Sequence, residues 1–181
     1  MLKREVEHHT RTKIKLTIAG GGEAHLLAKE LGAAKVGVIL NPVRPFPATW
    51  ESRRILPGPP LTEESQILHL LNHKVTVGVG ILEGWQAEST RWDLGWVAVE
   101  GWGKISTKEA LMLGSVNMIK LLGGSGLDGR SDSDLEFGLE GGLDREFWNG
   151  ELVATAGGDL LEFGSRVVAV VSAGRGLVDV F

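Results

Sequence analysis

The 181-residue chain is long enough to bury the core of one domain with a small appendage, and its 43% hydrophobic content is typical of globular rather than disordered proteins. Its net charge of −4 gives no electrostatic basis for binding nucleic acid or an anionic membrane surface. It contains no cysteine, which excludes disulfides and thiolate metal sites.

No apolar run reaches the roughly 18 residues of a membrane span. The first 15 residues are charged and have no apolar centre, so we expect no signal peptide in them. We therefore expect neither a membrane nor a nucleic-acid partner. The compartment is unknown from the sequence and is taken as cytoplasmic by default.

Residues 13–40 have the pattern of a strand, a tight turn, a helix and a second strand. Apolar and polar residues alternate over 14–19, and three glycines follow at 20–22. Apolar residues then recur at helical spacing over 23–31, and a second apolar run covers 36–40. Two parallel strands are usually joined by a crossover helix, and the helical segment between these two strands leaves room for no other connection. The pattern therefore predicts a βαβ unit.

The glycine turn at 20–22 lies where the first strand leads into a helix, and bare backbone N–H groups at such a position can hold an anion. A dinucleotide fingerprint requires a third glycine where this chain has His25. Glu23 would repel a phosphate, although it complements the helix dipole. We favour a structural turn over a phosphate site and keep Glu23 as a candidate ligand contact.

A loop over residues 41–60 follows the second strand and exceeds the usual length of about 2–6 residues for such connections. It leaves the carboxyl end of that strand, where α/β proteins bind ligands. Asn41 and Arg44 are therefore candidate ligand contacts, and Arg53 and Arg54 could also meet an anionic group. A proline-stiffened lid with solvated arginines explains the loop equally well.

A further helix and strand follow this loop. Thr62 is the predicted N-cap of a helix that buries residues 67–71, and a strand is predicted over 75–79. His69 and His73 have the spacing of a zinc-binding pair, but a leucine replaces the glutamate that follows the first histidine in the catalytic motif. We interpret the two histidines as part of a partly exposed helix face.

The next segment predicts two more helices. The first covers residues 91–99 and places Trp92, Trp96 and Val99 on one face. Ser106 and Glu109 form a capping box that opens a second helix extending to residue 122.

Three domains are expected from changes of composition along the chain. Residues 1–123 carry the α/β pattern, and residues 124–150, rich in glycine, aspartate, glutamate and serine, predict a flexible insertion. Short apolar runs separated by glycines over 151–181 predict three or four small strands outside the α/β pattern.

The runs 14–31, 36–65, 75–81 and 105–123, together with the β tail, resemble the C-terminal half of the amidohydrolase superfamily, the metal-dependent hydrolases related to imidazolonepropionase and prolidase-type enzymes. The resemblance implies an α/β fold, namely a partial TIM (β/α)₈ barrel of about the last three βα units with a small C-terminal β-sheet domain. It also implies a parent activity, hydrolysis of non-peptide C–N bonds by a water activated on a divalent metal such as zinc.

This chain departs from the family pattern at the positions of the metal ligands. The family draws histidines from several strands and an aspartate from the last one, whereas no histidine ends the strand before 20–22 and no aspartate falls at 80–82. A complete barrel needs about 250 residues, so only about three of its units fit here. We therefore predict no metal ligands or cofactor in this chain, with Glu83, the carboxylate nearest the last strand, as the catalytic candidate.

Three functions stay open on this basis. The first is an amidohydrolase-related fragment or pseudoenzyme without a complete active site. The second is a non-catalytic module that self-associates or pairs with the missing half of the barrel, since open strand edges promote pairing. The third is an anion- or nucleotide-binding protein that uses the glycine turn and the arginine loop.

Overall fold

The computed structural model describes residues 15–44, 54–123, 151–172 and 175–181, without the side chain of residue 151. The chain divides into two compact units, Met1–Gly124 and Ser125–Phe181. The expected flexible insertion at 124–150 and the candidate Arg53 lie outside the described residues.

A three-stranded parallel sheet organises the first unit. It consists of β1 (Thr17–Gly20), β2 (Gly37–Leu40) and β3 (Val77–Val79) in that order, with Thr17 opposite Gly37 and Val38 opposite Val77. Every residue of β2 and β3 is buried, as the unbroken apolar runs in these strands favour. The predicted βαβ pattern is confirmed.

Helices connect these parallel strands. A 3₁₀ helix (Ala24–Leu27) and α1 (Ala28–Ala33) link β1 to β2, and α2 (Gln66–Asn72) precedes β3. The prediction of one continuous helix over 23–31 was therefore wrong in form, because its first turn is 3₁₀. The helical spacing itself holds, since Ala24, Ala28 and Leu31 are buried.

The predicted N-cap of α2 was also wrong. Ser65, not Thr62, caps this helix, and its Oγ accepts a hydrogen bond from the Leu68 N–H at 3.4 Å. The Thr62 hydroxyl instead accepts from the Gly58 N–H at 2.8 Å and donates to the Glu64 carbonyl at 2.9 Å. Thr62 thus stabilises the turn that leads into the helix.

After β3 the chain forms a second 3₁₀ helix (Gly84–Ser89) and three α-helices, α3 (Thr90–Glu100), α4 (Thr107–Gly114) and α5 (Val116–Leu121). The helix predicted over 91–99 is confirmed as α3. It buries Leu94 and Val97, whereas the face that carries its two tryptophans is exposed.

The capping box at the start of α4 is confirmed. Glu109 Oε2 accepts the Ser106 N–H at 2.7 Å, and the Ser106 hydroxyl oxygen accepts the Glu109 N–H at 3.2 Å. The Ser106 hydroxyl also donates to Glu109 Oε2 at 2.7 Å. The two bonds that this carboxylate accepts from Ser106 lower its pKa below the ordinary value, because they stabilise its charged form. The single helix predicted to residue 122 is broken at Ser115, where α4 ends and α5 begins.

Helix α5 lies close against the sheet because two glycines leave room for it. A Cβ on Gly37 would fall 2.0 Å from Leu121 Cδ2, and one on Gly78 would fall 2.7 Å from Met118 Sδ. Asn117 Nδ2 donates to the Val77 carbonyl at 2.8 Å, and the Thr17 hydroxyl donates to the Leu121 carbonyl at 2.9 Å. These contacts bind the end of the first unit to β1 and β3.

The second unit contains an antiparallel sheet with strands β4 (Glu151–Ala156), β5 (Arg166–Ser172) and β6 (Leu177–Val180) in that order. The prediction of three or four strands is confirmed with three in the described part of 151–181. All hydrophobic residues that are buried in the described chain lie in the first unit. None of the described helices is long and apolar enough to cross a lipid bilayer.

Candidate functional site at the carboxyl ends of the parallel strands

A cleft of about 120 Å³ lies at the carboxyl ends of β2 and β3. Parallel α/β sheets bind ligands at this edge, beyond the ends of their strands. The cleft is lined by residues that follow the two strands and by two residues of the later helices: Pro42, Val43, Arg44, Gly80, Ile81, Gln86 and Asp93.

The Arg44 cluster is made of Arg44, Asp93, Trp96 and Glu100, and two of its members, Arg44 and Asp93, line the cleft. The guanidinium Nη1 lies 3.4 Å from Asp93 Oδ1, and Nε lies 3.1 Å from Glu100 Oε1. The guanidinium carbon lies 5.2 Å from the centroid of the Trp96 ring, within cation–π distance. Two carboxylates face one guanidinium, so the cluster has a surplus negative charge and does not favour an anionic ligand.

The two partners of Arg44 were missed by sequence reasoning. Asp93 and Glu100 lie 49 and 56 residues further along the chain. No local spacing connects them to Arg44, because the tertiary fold alone brings α3 against the end of β2. The binding of an external anion by Arg44 stays a prediction, and such an anion would compete with both carboxylates.

Glu83 is exposed, is not among the residues that line the cleft, and caps the second 3₁₀ helix. Its side chain accepts from the backbone N–H of Gln86, and Gln86 Oε1 accepts from the Glu83 and Leu82 N–H groups, both at 2.9 Å. The spacing of Glu83 and Gln86 is that of a capping box, a signal that the sequence contained. This capping gives Glu83 a structural role, and its catalytic role stays a prediction.

Asn41 immediately follows β2. Its backbone N–H donates to the Gly20 carbonyl at 3.4 Å, which extends the pairing of β1 with β2. Its side-chain Oδ1 is buried and has no hydrogen-bond partner among the described residues. A Cβ on Gly80 would fall 3.4 Å from the Asn41 Cβ, so the glycine leaves room for this side chain. Contact of Asn41 with a ligand stays a prediction.

Glu23 and the glycine turn lie at the carboxyl end of β1, and none of these residues lines the cleft. Glu23 Oε1 is 3.1 Å from Nη1 of Arg54, so this arginine, which could have met an anionic ligand, pairs with a carboxylate of this chain. The Gly21 carbonyl accepts the Ala24 N–H at 2.9 Å and Nε2 of the buried Gln66 at 2.7 Å. The turn is therefore fixed by its own hydrogen bonds.

His25 follows Glu23 and is partly buried. Burial lowers the pKa of the His25 imidazole below its ordinary value of 6.5, and the nearby charges of His69 and Arg54 lower it further. The Glu23 carboxylate acts in the opposite direction. His25 Nδ1 is buried without a hydrogen-bond partner in the described part of the chain.

The divalent metal implied by the resemblance does not fit the residues at this edge of the sheet. Within the described ranges, no group of three or more histidines, aspartates or glutamates is close enough to hold a metal ion. Of the nearby carboxylates, Glu23 and Asp93 are paired with arginines and Glu83 caps a helix. No catalytic step through a metal therefore follows from these residues.

Comparisons with known proteins find similarity to two amidohydrolases, and no family model matches the chain. It is 40% identical to the amidohydrolase tasK of Hapsidospora irregularis over 116 residues, which make up 64% of this chain and 12% of that protein. The crystal structure of an amidohydrolase from Thermotoga maritima MSB8 matches with a TM-score of 0.64 and 18% identity, over 96% of this chain and 39% of that chain.

The chain thus spans about an eighth of the curated relative and about two fifths of the solved structure. The structural match shows the fold, and the sequence match shows common descent over the aligned residues. Both comparisons agree with the resemblance read from the sequence. The chain is therefore related to the amidohydrolase superfamily.

Proposed function

We propose that β1, β2 and β3 with their helices correspond to the last three βα units of an amidohydrolase (β/α)₈ barrel. Two observations support this assignment. The three strands are parallel and adjacent in chain order, with helices between them. In addition, the likeness to the Thermotoga amidohydrolase extends over 96% of this chain.

The parent activity in this proposal is hydrolysis of non-peptide C–N bonds by a metal-activated water. A bound divalent ion would supply the hydroxide nucleophile and polarise the scissile carbonyl. Because the described residues do not fit such an ion, this chain is proposed to hold only part of the active site. Its ligands would be supplied by residues other than those that the structure describes.

The contribution of this chain is to form a wall of the substrate site, and the cleft at the ends of β2 and β3 is the observation that carries the proposal. Gln86 Oε1 is occupied by two backbone N–H groups, so its Nε2 group is the part of the side chain able to donate into the cleft. Asp93 supplies carboxylate acceptors beside it. This pairing suits a neutral amide, which needs both a donor and an acceptor.

A turnover assay tests whether the site is incomplete. The purified chain would be incubated with N-acyl amino acids, cyclic imides and lactones, with added Zn²⁺ and after treatment with a chelator. The proposal predicts no hydrolysis under either condition, together with binding of some of the amides, detected by saturation-transfer NMR. Turnover that is lost on chelation and restored by Zn²⁺ would show a complete site. Failure of every amide to bind would contradict the assignment of the cleft as part of a substrate site.

One alternative is favoured by a separate observation. Within the described residues, β1 and β3 each pair with one strand only, and unpaired parallel edges promote association. A non-catalytic, oligomerising or partner-completed module would have this structure as well. Light scattering on the purified chain tests this alternative. A dimer or larger species supports it, and a monomer at every concentration counts against it.

The nucleotide- or anion-binding alternative has less support. Arg54 is paired with Glu23, and the Glu23 carboxylate next to the glycine turn would repel a phosphate. A thermal-shift screen with nucleotides and sugar phosphates tests it, and a shift at millimolar ligand would revive it.

A further inference from the structure

His69 and His73 stand beside each other on α2 and at its C-cap. Their ring centroids are 4.6 Å apart with planes inclined by 46°. The spacing of four residues places both side chains on one face of the helix. Both residues are partly exposed, so solvent and ions have access to them.

The hydrogen bonds of the two Nδ1 atoms determine which tautomer each neutral ring adopts. His69 Nδ1 lies 3.1 Å from Glu64 Oε2, and His73 Nδ1 lies 2.9 Å from the His69 carbonyl oxygen. A carboxylate and a carbonyl can only accept, so each Nδ1 must donate. Each neutral ring therefore carries its proton on Nδ1 and a lone pair on Nε2.

Hydrogen bonds to both carboxylate oxygens fix the position of the Glu64 side chain. Its Oε2 accepts from His69, and its Oε1 accepts from Asn72 Nδ2 at 2.8 Å. A carboxylate or carbonyl that accepts from the distal ring nitrogen is the arrangement that orients metal-bound histidines in proteins. Neither Nε2 has a hydrogen-bond partner within the parts of the chain that the structure describes.

We propose that Nε2 of His69 and Nε2 of His73 together bind one divalent transition metal ion such as Zn²⁺ or Cu²⁺, with solvent completing its coordination. Imidazole ligands suit these ions, whereas Mg²⁺ and Ca²⁺ prefer oxygen. The sequence alone favoured an exposed helix face with no metal ligand. The two orienting acceptors, a side chain five residues before His69 and a backbone carbonyl, are visible only in the structure.

The charges around the pair permit a cation. The Glu23 and Glu64 carboxylates and the Arg54 guanidinium surround the neighbouring histidines. His25 is close enough to His69 for their charges to interact, and burial lowers the pKa of the His25 imidazole, which disfavours its charged form.

Isothermal titration of the full chain with ZnCl₂ and CuCl₂ at pH 7.5 tests this proposal. His8 and His9 are adjacent in the sequence and are replaced by glutamine throughout, so that they contribute no binding. In this background we expect one ion per chain. His69→Gln or His73→Gln should each abolish saturable binding, and His25→Gln is the matched control that should leave the affinity unchanged. Glu64→Gln should weaken binding by about tenfold or more, and MgCl₂ should not bind.

Several results would overturn the proposal. They are the absence of binding in the His8→Gln/His9→Gln background, binding that survives His69→Gln and His73→Gln, or an equal loss on His25→Gln. Circular dichroism of each variant separates loss of a ligand from loss of the fold. The titration uses no substrate, so its outcome is independent of the proposed hydrolase function.

Discussion

The turn after β1 and the cleft beyond β2 and β3 lie at the same edge of one parallel sheet, yet they are built differently. In the turn, the Gly20 and Gly21 carbonyls accept hydrogen bonds from other residues of the chain, and Gly21 lies against Val38 and Leu40. In the cleft, the ion-paired side chains of Arg44 and Asp93 line open space of about 120 Å³.

This difference separates a structural strand end from one able to receive a ligand. A site needs unfilled space with polar groups directed toward it, and only the second of these two regions has both. The glycine turn has the more familiar sequence pattern of the two. Here the glycines at a strand end indicate a tight backbone turn. The ligand site is instead identified by the cleft that the folded chain leaves unfilled.

The largest effect on stability is expected from a substitution in the glycine turn after β1, and it tests how closely that turn is packed. Gly21 has φ of +62°, and an added Cβ would lie 2.6 Å from Val38 Cγ1. Gly21→Ala should lower the free energy of unfolding by about 3 kcal/mol, through left-handed backbone strain and overpacking. Urea denaturation measures this. Gly22→Ala is the matched control, since nothing lies within 4 Å of its Cβ position, and equal losses in both variants would contradict the packing account.

A smaller effect tests the hydrogen bond that fixes the same turn. Gln66 is only 6% exposed, and its Nε2 donates to the Gly21 carbonyl. Gln66→Leu should lower the free energy of unfolding by about 1 kcal/mol, because that carbonyl keeps its bond from Ala24 but loses the second one. Glu63→Gln, at an exposed neighbouring position, should have no measurable effect. A neutral Gln66→Leu would show that the turn does not depend on this side chain.

The third prediction compares the arginines of the two regions. Arg44 has two carboxylate partners and an aromatic ring, whereas Arg54 has one carboxylate partner and is 54% exposed. Arg44→Gln should lower the free energy of unfolding by about 1 kcal/mol, and Arg54→Gln by only about 0.3 kcal/mol. Urea denaturation at low salt and in 1 M NaCl measures both. A larger loss for Arg54→Gln would reverse the comparison.

The smallest expected effect is a pH dependence of the free energy of unfolding, caused by His25 beside the glycine turn. The His25 pKa is lowered in the folded state, so the unfolded chain binds a proton at higher pH than the folded one. Stability should therefore fall as the pH drops below about 6.5, and stop falling once the folded state is protonated as well. His25→Gln should reduce the difference in melting temperature between pH 7.5 and pH 5.5. An unchanged difference would show that His25 does not cause it.

Much of the fold could be predicted because its signals are local. Alternating and helical apolar spacing predicted β1, β2 and the helix between them, and Ser106 with Glu109 marked the start of α4. The wrong N-cap of α2 arose because two nearby residues could both cap the helix. Thr62 and Ser65 are both good caps, and the choice depended on a turn that holds the Thr62 hydroxyl elsewhere.

Less of the candidate site could be predicted because its contacts join distant segments. The sequence placed Arg44 at a strand end, but its neutralisation by Asp93 and Glu100 depends on where α3 packs. Likewise, the i, i+4 spacing of His69 and His73 was visible, but the tautomers that leave a lone pair on each Nε2 depend on hydrogen bonds. Spacing supplies candidates, and only packing decides which partners they take.

The most direct test of the ligand-facing edge is a ¹H–¹⁵N NMR titration of the full chain with an amide that binds without turnover. The account predicts that the largest shift changes occur in the amides of Arg44, Gly80, Ile81 and Gln86, and that Gly21 and Gly22 change little. The largest changes at the glycine turn, with the cleft amides unaffected, would contradict it.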